Sequence, residues 1–245
     1  NIVGGNIVNI LLVLSLSVLI FPIPVARHFI RREGVSVIAA TLLFMALCLD
    51  GTVSFLDGLI LLVGLGSFIA ATVLLFPNAE RQTPEDQESD RHEEVVVGTG
   101  IRRHILWIVG ALAALAIGSQ LFVDGAVDLS RLLGVSEAVI GLTVVAAGTA
   151  APEIVTATIA AWRRQSGVAI GNVLGSNMFN MLGIGGITAL VSPIAVHPHF
   201  LRIDFVVLLA ATIGVVLIGY GARSLGRVTG GLMLAAYAGY TASLF

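Results

Sequence analysis

The chain has 245 residues, 57% of them apolar and 11% charged, with a net charge of −2 and a mean hydropathy of +0.99. A soluble domain carries about 25% charged residues, so this chain cannot clothe a water-facing surface, and one core held in lipid is expected. The charges fall in gaps between apolar runs, which leaves no basic face for nucleic acid, and a single cysteine, Cys48, excludes an internal disulfide framework.

The chain opens on Asn1-Ile2-Val3-Gly4-Gly5-Asn6, without Met and without the basic region and small-residue cleavage site of a signal peptide. A transmembrane helix needs roughly 20 mostly apolar residues. Apolar runs predict spans over 3–26, 35–49, 56–76, 105–127, 136–161, 169–191, 203–220 and 228–245. The 35–49 run is short and is expected to reach into Gly34 and Asp50.

The longest polar stretch, Pro77 to His104, carries Glu80, Glu85, Asp86, Glu88, Asp90, Glu93 and Glu94. It has too little apolar surface to order itself. It reads as a linker over 77–104 joining three helices in 1–76 to five in 105–245; a regulatory cation-binding loop is the alternative. It lacks the spaced Asp/Asn and Gly of an EF-hand loop.

Numbering the loops alternately puts 11 arginines on one side (27, 31, 32, 81, 91, 102, 103, 163, 164, 223 and 227) and two, Arg131 and Arg202, on the other. The basic side is expected to be cytoplasmic. That places the acidic linker inside, both chain ends outside, and the protein in the plasma membrane (the inner membrane of a bacterial cell).

Residues 1–25 align without a gap on 172–196, with 9 identities in 25 positions: Asn1/Asn172, Gly4/Gly175, Asn6/Asn177, Asn9/Asn180, Leu11/Leu182, Leu19/Leu190, Pro22/Pro193, Ile23/Ile194 and Val25/Val196. The register continues through His28/His199, Phe29/Phe200 and Arg31/Arg202. Shared apolar bias does not match three Asn, a Gly and a Pro at fixed spacing, so the two segments are copies. Five predicted spans separate them, an odd number, so the copies cross the membrane in opposite directions. Inverted-topology repeats of this kind build transporters, with sites near the midplane where the copies meet. A helix carrying Glu153 precedes the second copy; a matching one is expected upstream of the first, with Pro-Glu about 19 residues before Asn1, as Glu153 lies 19 before Asn172. On that reasoning about two helices precede the sequence given.

Glu153 is the one acidic residue deep inside a predicted span, and no arginine falls within a span to pair with it. A carboxylate at the bilayer centre costs about 2.5–3.5 kcal/mol even on the lenient insertion scale, which marks it for function. Pro152 has no N–H to give the carbonyl of Gly148 and opens that turn. Freed carbonyls at membrane depth line cavities or bind ions, so Gly148 and Thr149 have oxygens to offer, and Thr149 lies four residues from Glu153 on one helix face. A plain proline kink is the alternative. The next helix presents Asn172, Ser176 and Asn180 four apart, with Asn177 beside them. One carboxylate among amide, hydroxyl and backbone oxygens suits Ca²⁺ or Na⁺ rather than Zn²⁺. The same Asn and Ser residues could serve as helix–helix glue, and Asn6 and Asn9 share both readings through the repeat. His197 and His199 read as interfacial, and Asp124 and Asp128 as solvated at a helix end.

Gly148-Thr149-Ala150-Ala151-Pro152-Glu153, followed by Gly171 to Asn180 (GNVLGSNMFN), resembles the second alpha-repeat of the calcium/cation antiporter superfamily, and Asn1 to Asn9 resembles the tail of the first. The closest likeness is to prokaryotic sodium/calcium exchangers. The resemblance implies an all-α multi-pass membrane protein of ten helices in two inverted five-helix halves, about eight of them present here. It implies alternating access, with Na⁺ influx coupled to Ca²⁺ export and no cofactor. Its central ligands map onto Glu153, Thr149, Ser176 and Asn180, with Asn9 from the first repeat. Two positions depart from the family pattern: Ala150 and Gly5 each stand where it carries Ser. In the inverted arrangement that the resemblance implies, the two hydroxyls would face the same side of the site, and their loss is expected to weaken one Na⁺ position.

Three other readings stand beside Na⁺/Ca²⁺ exchange. The same fold could couple Ca²⁺ to H⁺. An intramembrane hydrolase would need a nucleophile and base, or a His at mid-span, and no predicted span has a His in its middle. A non-transporting scaffold leaves Glu153 and its broken turn without a purpose.

Overall fold

A computed structural model describes residues 2–75, 101–134, 140, 145–196 and 200–243. Among them the chain forms eight helices and four two-residue strands, which we number in chain order. They are α1 Ile2–Ile20, β1 Ile23–Pro24, α2 Arg27–Leu47, β2 Thr52–Val53, α3 Phe55–Leu75 and α4 Ile101–Leu132. There follow α5, in two pieces Ala146–Thr149 and Ala151–Trp162, α6 Ser166–Val191, β3 Ile194–Ala195, α7 Phe205–Ala222, β4 Ser224–Leu225 and α8 Arg227–Ala242. The all-α, multi-pass architecture is as the apolar runs predict. Residues 77–100 of the linker expected over 77–104, together with His197 and His199, lie outside the described residues, while 101–104 form the first turn of α4.

The repeat is visible in the backbone. Both α1 and α6 loosen into a π-helix midway, at Asn9–Val13 and at Phe179–Ile184. Both then stop near the Pro22/Pro193 pair. Beyond them, β1 pairs antiparallel with β4 (Ile23 opposite Leu225), and β3 pairs antiparallel with β2 (Ile194 opposite Val53). The N–H of Val25 donates to the carbonyl of Arg223 at 2.9 Å, and that of its copy Val196 to the carbonyl of Gly51, also at 2.9 Å. Gly51 and Arg223 both adopt left-handed backbone, with φ of 89° and 56°. Packing follows the same exchange: α2 lies against α7, α3 on the end of α6, and α8 on the end of α1. Small residues bring these helices close, as is usual in lipid. A Cβ on Gly58 of α3 would meet the Gly186 carbonyl at 2.8 Å, and one on Gly230 of α8 would meet that of Ser15 at 3.0 Å.

The dry core sits around α1 and α6, where Ile7, Ile10, Leu14, Ile170, Leu174 and Met181 are fully buried. The outward faces of α3 and α4 are apolar and exposed (Val63, Val73, Leu106, Trp107, Leu121, Phe122). Such a surface is tolerable against lipid and not against water.

Two expectations need correction. Helix α2 begins at Arg27, not at 35, and stops at Leu47 short of Asp50. Arg27, Arg31 and Arg32 are therefore helical. The helix accommodates them because Arg27 stacks over the Tyr220 ring at 5.3 Å and Arg32 pairs with buried Glu33. Helix α4 has 32 residues, about 48 Å at 1.5 Å per residue, against a hydrocarbon core of about 30 Å. Asp124 therefore lies two turns inside it and accepts a hydrogen bond from Gln120 at 3.0 Å.

Candidate functional site

Pro152 breaks α5 as its chemistry requires. Helical geometry stops after Thr149, Ala150 turns at φ −89° and ψ 3°, and the second piece starts at Ala151 with the proline in its first turn. The Gly148 carbonyl does not go without a partner: it accepts from the Ser119 hydroxyl of α4 at 2.8 Å. Gly148 is buried and Thr149 exposed. The break at Ala150 falls between Thr149 and Glu153, so the single helix face expected to carry both is not formed.

Glu153 leads the second piece of α5. Its Oε2 is buried and has no hydrogen-bond partner among the described residues. The carbonyl of Glu153 receives a long bond, 3.5 Å, from the Asn172 amide of α6. The second piece of α5 packs against α6 and against the π-helical segment of α1 that begins at Asn9.

Four asparagines of the two repeat copies meet at the α1–α6 crossing. Asn6 Nδ2 donates to the Asn177 carbonyl at 3.2 Å, and Asn177 Nδ2 donates to the Asn6 carbonyl at 3.1 Å. Asn9 Nδ2 donates to Asn177 Oδ1 at 3.0 Å, and Asn180 Nδ2 donates to Asn6 Oδ1 at 2.9 Å. Exchanging each residue for its copy leaves this list unchanged, which makes the crossing a local two-fold axis. Asn6 and Asn177 use both ends of their amides here. Asn9 and Asn180 use only their N–H groups, and no bond reaches either Oδ1 among the described residues. Both sit at or beside the first residue of a π-helix, a form that recurs at functional sites. Ser176 lies half-buried on α6, one residue before Asn177.

Among the described residues no three His, Cys, Asp or Glu side chains cluster. The polar groups the structure does bring together are the four asparagines of the α1–α6 crossing, with the helix that carries Glu153 packed beside them. A Cβ on Gly5, the copy of Ser176, would meet nothing within 4 Å, so that corner is open, while Ala150 is 5% exposed.

These features coincide with a known family. The sodium/calcium exchanger protein family matches residues 1–74 and 103–245. The chain belongs to that family. It is 34% identical over 245 residues to the uncharacterized membrane protein MJ0091 of Methanocaldococcus jannaschii, across 100% of this chain and 75% of that protein. It is 40% identical over 110 residues to the sodium/calcium exchanger MaX1 of Methanosarcina acetivorans, across 45% of this chain and 31% of that one. The fold matches that of the sodium-calcium exchanger NCX_Mj with a TM-score of 0.79 and 29% identity, over 100% of this chain and 75% of that structure. The exchanger is thus an integral membrane cation antiporter with Ca²⁺ among its family's ions, a secondary transporter and not an enzyme. A hydrolase or a passive scaffold is thereby set aside.

Sequence reasoning passed over two buried carboxylates in this exchanger, Glu33 and Asp204, 8% and 3% exposed. Arg32 holds Glu33, and the Tyr240 hydroxyl donates to Asp204. The signal was available: carrying the repeat register two residues beyond Arg31/Arg202 makes them a pair. Ser119 left no such trace, being one hydroxyl in an apolar run.

Proposed function

We propose that this antiporter exchanges Ca²⁺ for Na⁺ by alternating access, binding the ions between the broken turn of α5 and the α1–α6 crossing. The observation that carries this reading is Glu153 Oε2, buried and without a hydrogen-bond partner among the described residues. An unpaired buried carboxylate is costly, and a cation arriving from the membrane surface offsets that cost. We assign Glu153, Thr149, Ser176, Asn180 and Asn9 as ligands. Asn6 and Asn177, whose amides are committed to backbone and to each other's neighbours, orient Asn180 and Asn9. Gly148 belongs to the same turn, but its carbonyl faces Ser119.

The family relationship favours Na⁺ as the counter-ion, as does a donor set rich in neutral oxygen. The test is Ca²⁺ uptake into proteoliposomes loaded with Na⁺, with and without a pH gradient. Uptake that follows the Na⁺ gradient and is lost in Glu153→Gln, with insertion intact, is the expected result. Uptake that follows the pH gradient alone transfers the assignment to Ca²⁺/H⁺ exchange. Wild-type flux in Glu153→Gln removes the carboxylate from the site.

A further inference from the structure

Helix α4 is exposed along its length, and its apolar side chains give it little grip on the rest of the bundle. At one place it is seated closely. Ser119 donates its hydroxyl to the Gly148 carbonyl at 2.8 Å, and one turn later Val123 fills the space where a residue other than glycine would project at 148. A Cβ there would lie 2.1 Å from Val123 Cγ2. Residues four apart share a helix face, so Ser119 and Val123 form one footprint on the broken turn.

The carbonyl that Ser119 engages is the one that Pro152 leaves without a helical partner. In lipid such a group has no water to turn to. Without Ser119 the carbonyl would keep only the Ala150 N–H of its own turn, and the peptide plane would rotate with it, moving Thr149 because it is the next residue. We infer that Ser119 is a positioning residue of the ion site: through the Gly148 carbonyl it sets the angle of the turn that carries Thr149 and Glu153, and it ties α4 to that turn. This rests on the ion site proposed above. It makes α4, from a helix in which sequence shows no ligand, a determinant of ion affinity.

The test uses the whole protein in proteoliposomes, with Ca²⁺ uptake measured against Ca²⁺ concentration for wild type, Ser119→Ala, Ser119→Thr and Glu153→Gln. Losing one interhelical hydrogen bond in lipid corresponds to about a 3-fold and at most roughly a 16-fold change in an equilibrium. Ser119→Ala should raise the half-saturating Ca²⁺ concentration within that range and change the maximal rate less than about 2-fold. Ser119→Thr keeps the hydroxyl and should restore the wild-type value. Unchanged half-saturation in Ser119→Ala, or an equal loss in the Ala and Thr variants, overturns the inference. So does a loss of inserted protein with normal affinity in what remains, since that is how a purely architectural serine behaves. Glu153→Gln keeps the two claims apart. If it transports normally, the ion site is misplaced. If it is inactive while Ser119→Ala is normal, only the role of Ser119 falls.

Discussion

Replacing Asn177 by alanine removes two bonds at the α1–α6 crossing: its donation to the Asn6 carbonyl at 3.1 Å and its acceptance from Asn9 at 3.0 Å. Interhelical hydrogen bonds in membranes average about 0.6 kcal/mol, so the bonds alone give about 1.2 kcal/mol. Two buried partners are also stranded, the Asn6 carbonyl and the Asn9 amide, and leaving a buried polar group unpaired costs about 1–3 kcal/mol. Partial relaxation brings the expected loss to about 2–3 kcal/mol. Asn6→Ala breaks the equivalent pair, to the Asn177 carbonyl and from Asn180, so the two variants should be equally destabilised although they lie 171 positions apart. The cycles discriminate further. Asn9 and Asn177 share a side chain to side chain bond, so their double mutant should lose less than the sum of the singles, by the value of one bond. Asn6 and Asn177 share no side chain to side chain bond, so their coupling should be smaller than that of Asn9 with Asn177. Reversible unfolding in mixed micelles without Ca²⁺ gives these numbers. A stronger coupling for Asn6 with Asn177 than for Asn9 with Asn177 would refute the bonding scheme. So would single-mutant losses differing by more than about 1 kcal/mol.

Gly5→Ser with Ala150→Ser restores two oxygens, and the space beside Gly5 is open to receive one; Ca²⁺ flux should then depend more steeply on Na⁺, with Ca²⁺ affinity little changed, and superimposable Na⁺ curves would show the site already complete. Arg223 sits at φ 56°, where its counterpart in the other copy is Gly51; Arg223→Gly should raise stability by about 0.5–1 kcal/mol by relieving left-handed strain, measured as the unfolding midpoint. Gly148→Ala drives a methyl into Val123 and should cost about 1–3 kcal/mol, most of it recovered in the double variant with Val123→Ala.

The fold was legible because lipid simplifies the problem: apolar runs must be helices, and a gap in them must be a loop. The inverted repeat was legible because Asn, Gly and Pro recur at fixed spacing where an apolar background gives no reason for them. Pro152 announced the break in α5. The start of α2 was misplaced because arginine at a helix end reads as loop until the Tyr220 ring and Glu33 are known to receive it. The division of labour among the asparagines was also hidden. Asn6 and Asn9 look alike as letters, and only the crossing geometry shows that one uses its whole amide on the partner helix while the other keeps an oxygen in reserve. Ser119 could not be found at all, since its partner is a backbone atom 29 residues away.

Among the short strands, β1 finds its partner in β4, and β2 in β3, so each of the two ladders joins one repeat copy to the other. The bonds among Asn6, Asn9, Asn177 and Asn180 cross in the same way. Neither copy can close these contacts on itself. The two halves therefore hold each other as two subunits of a dimer would, each supplying one side of every such contact.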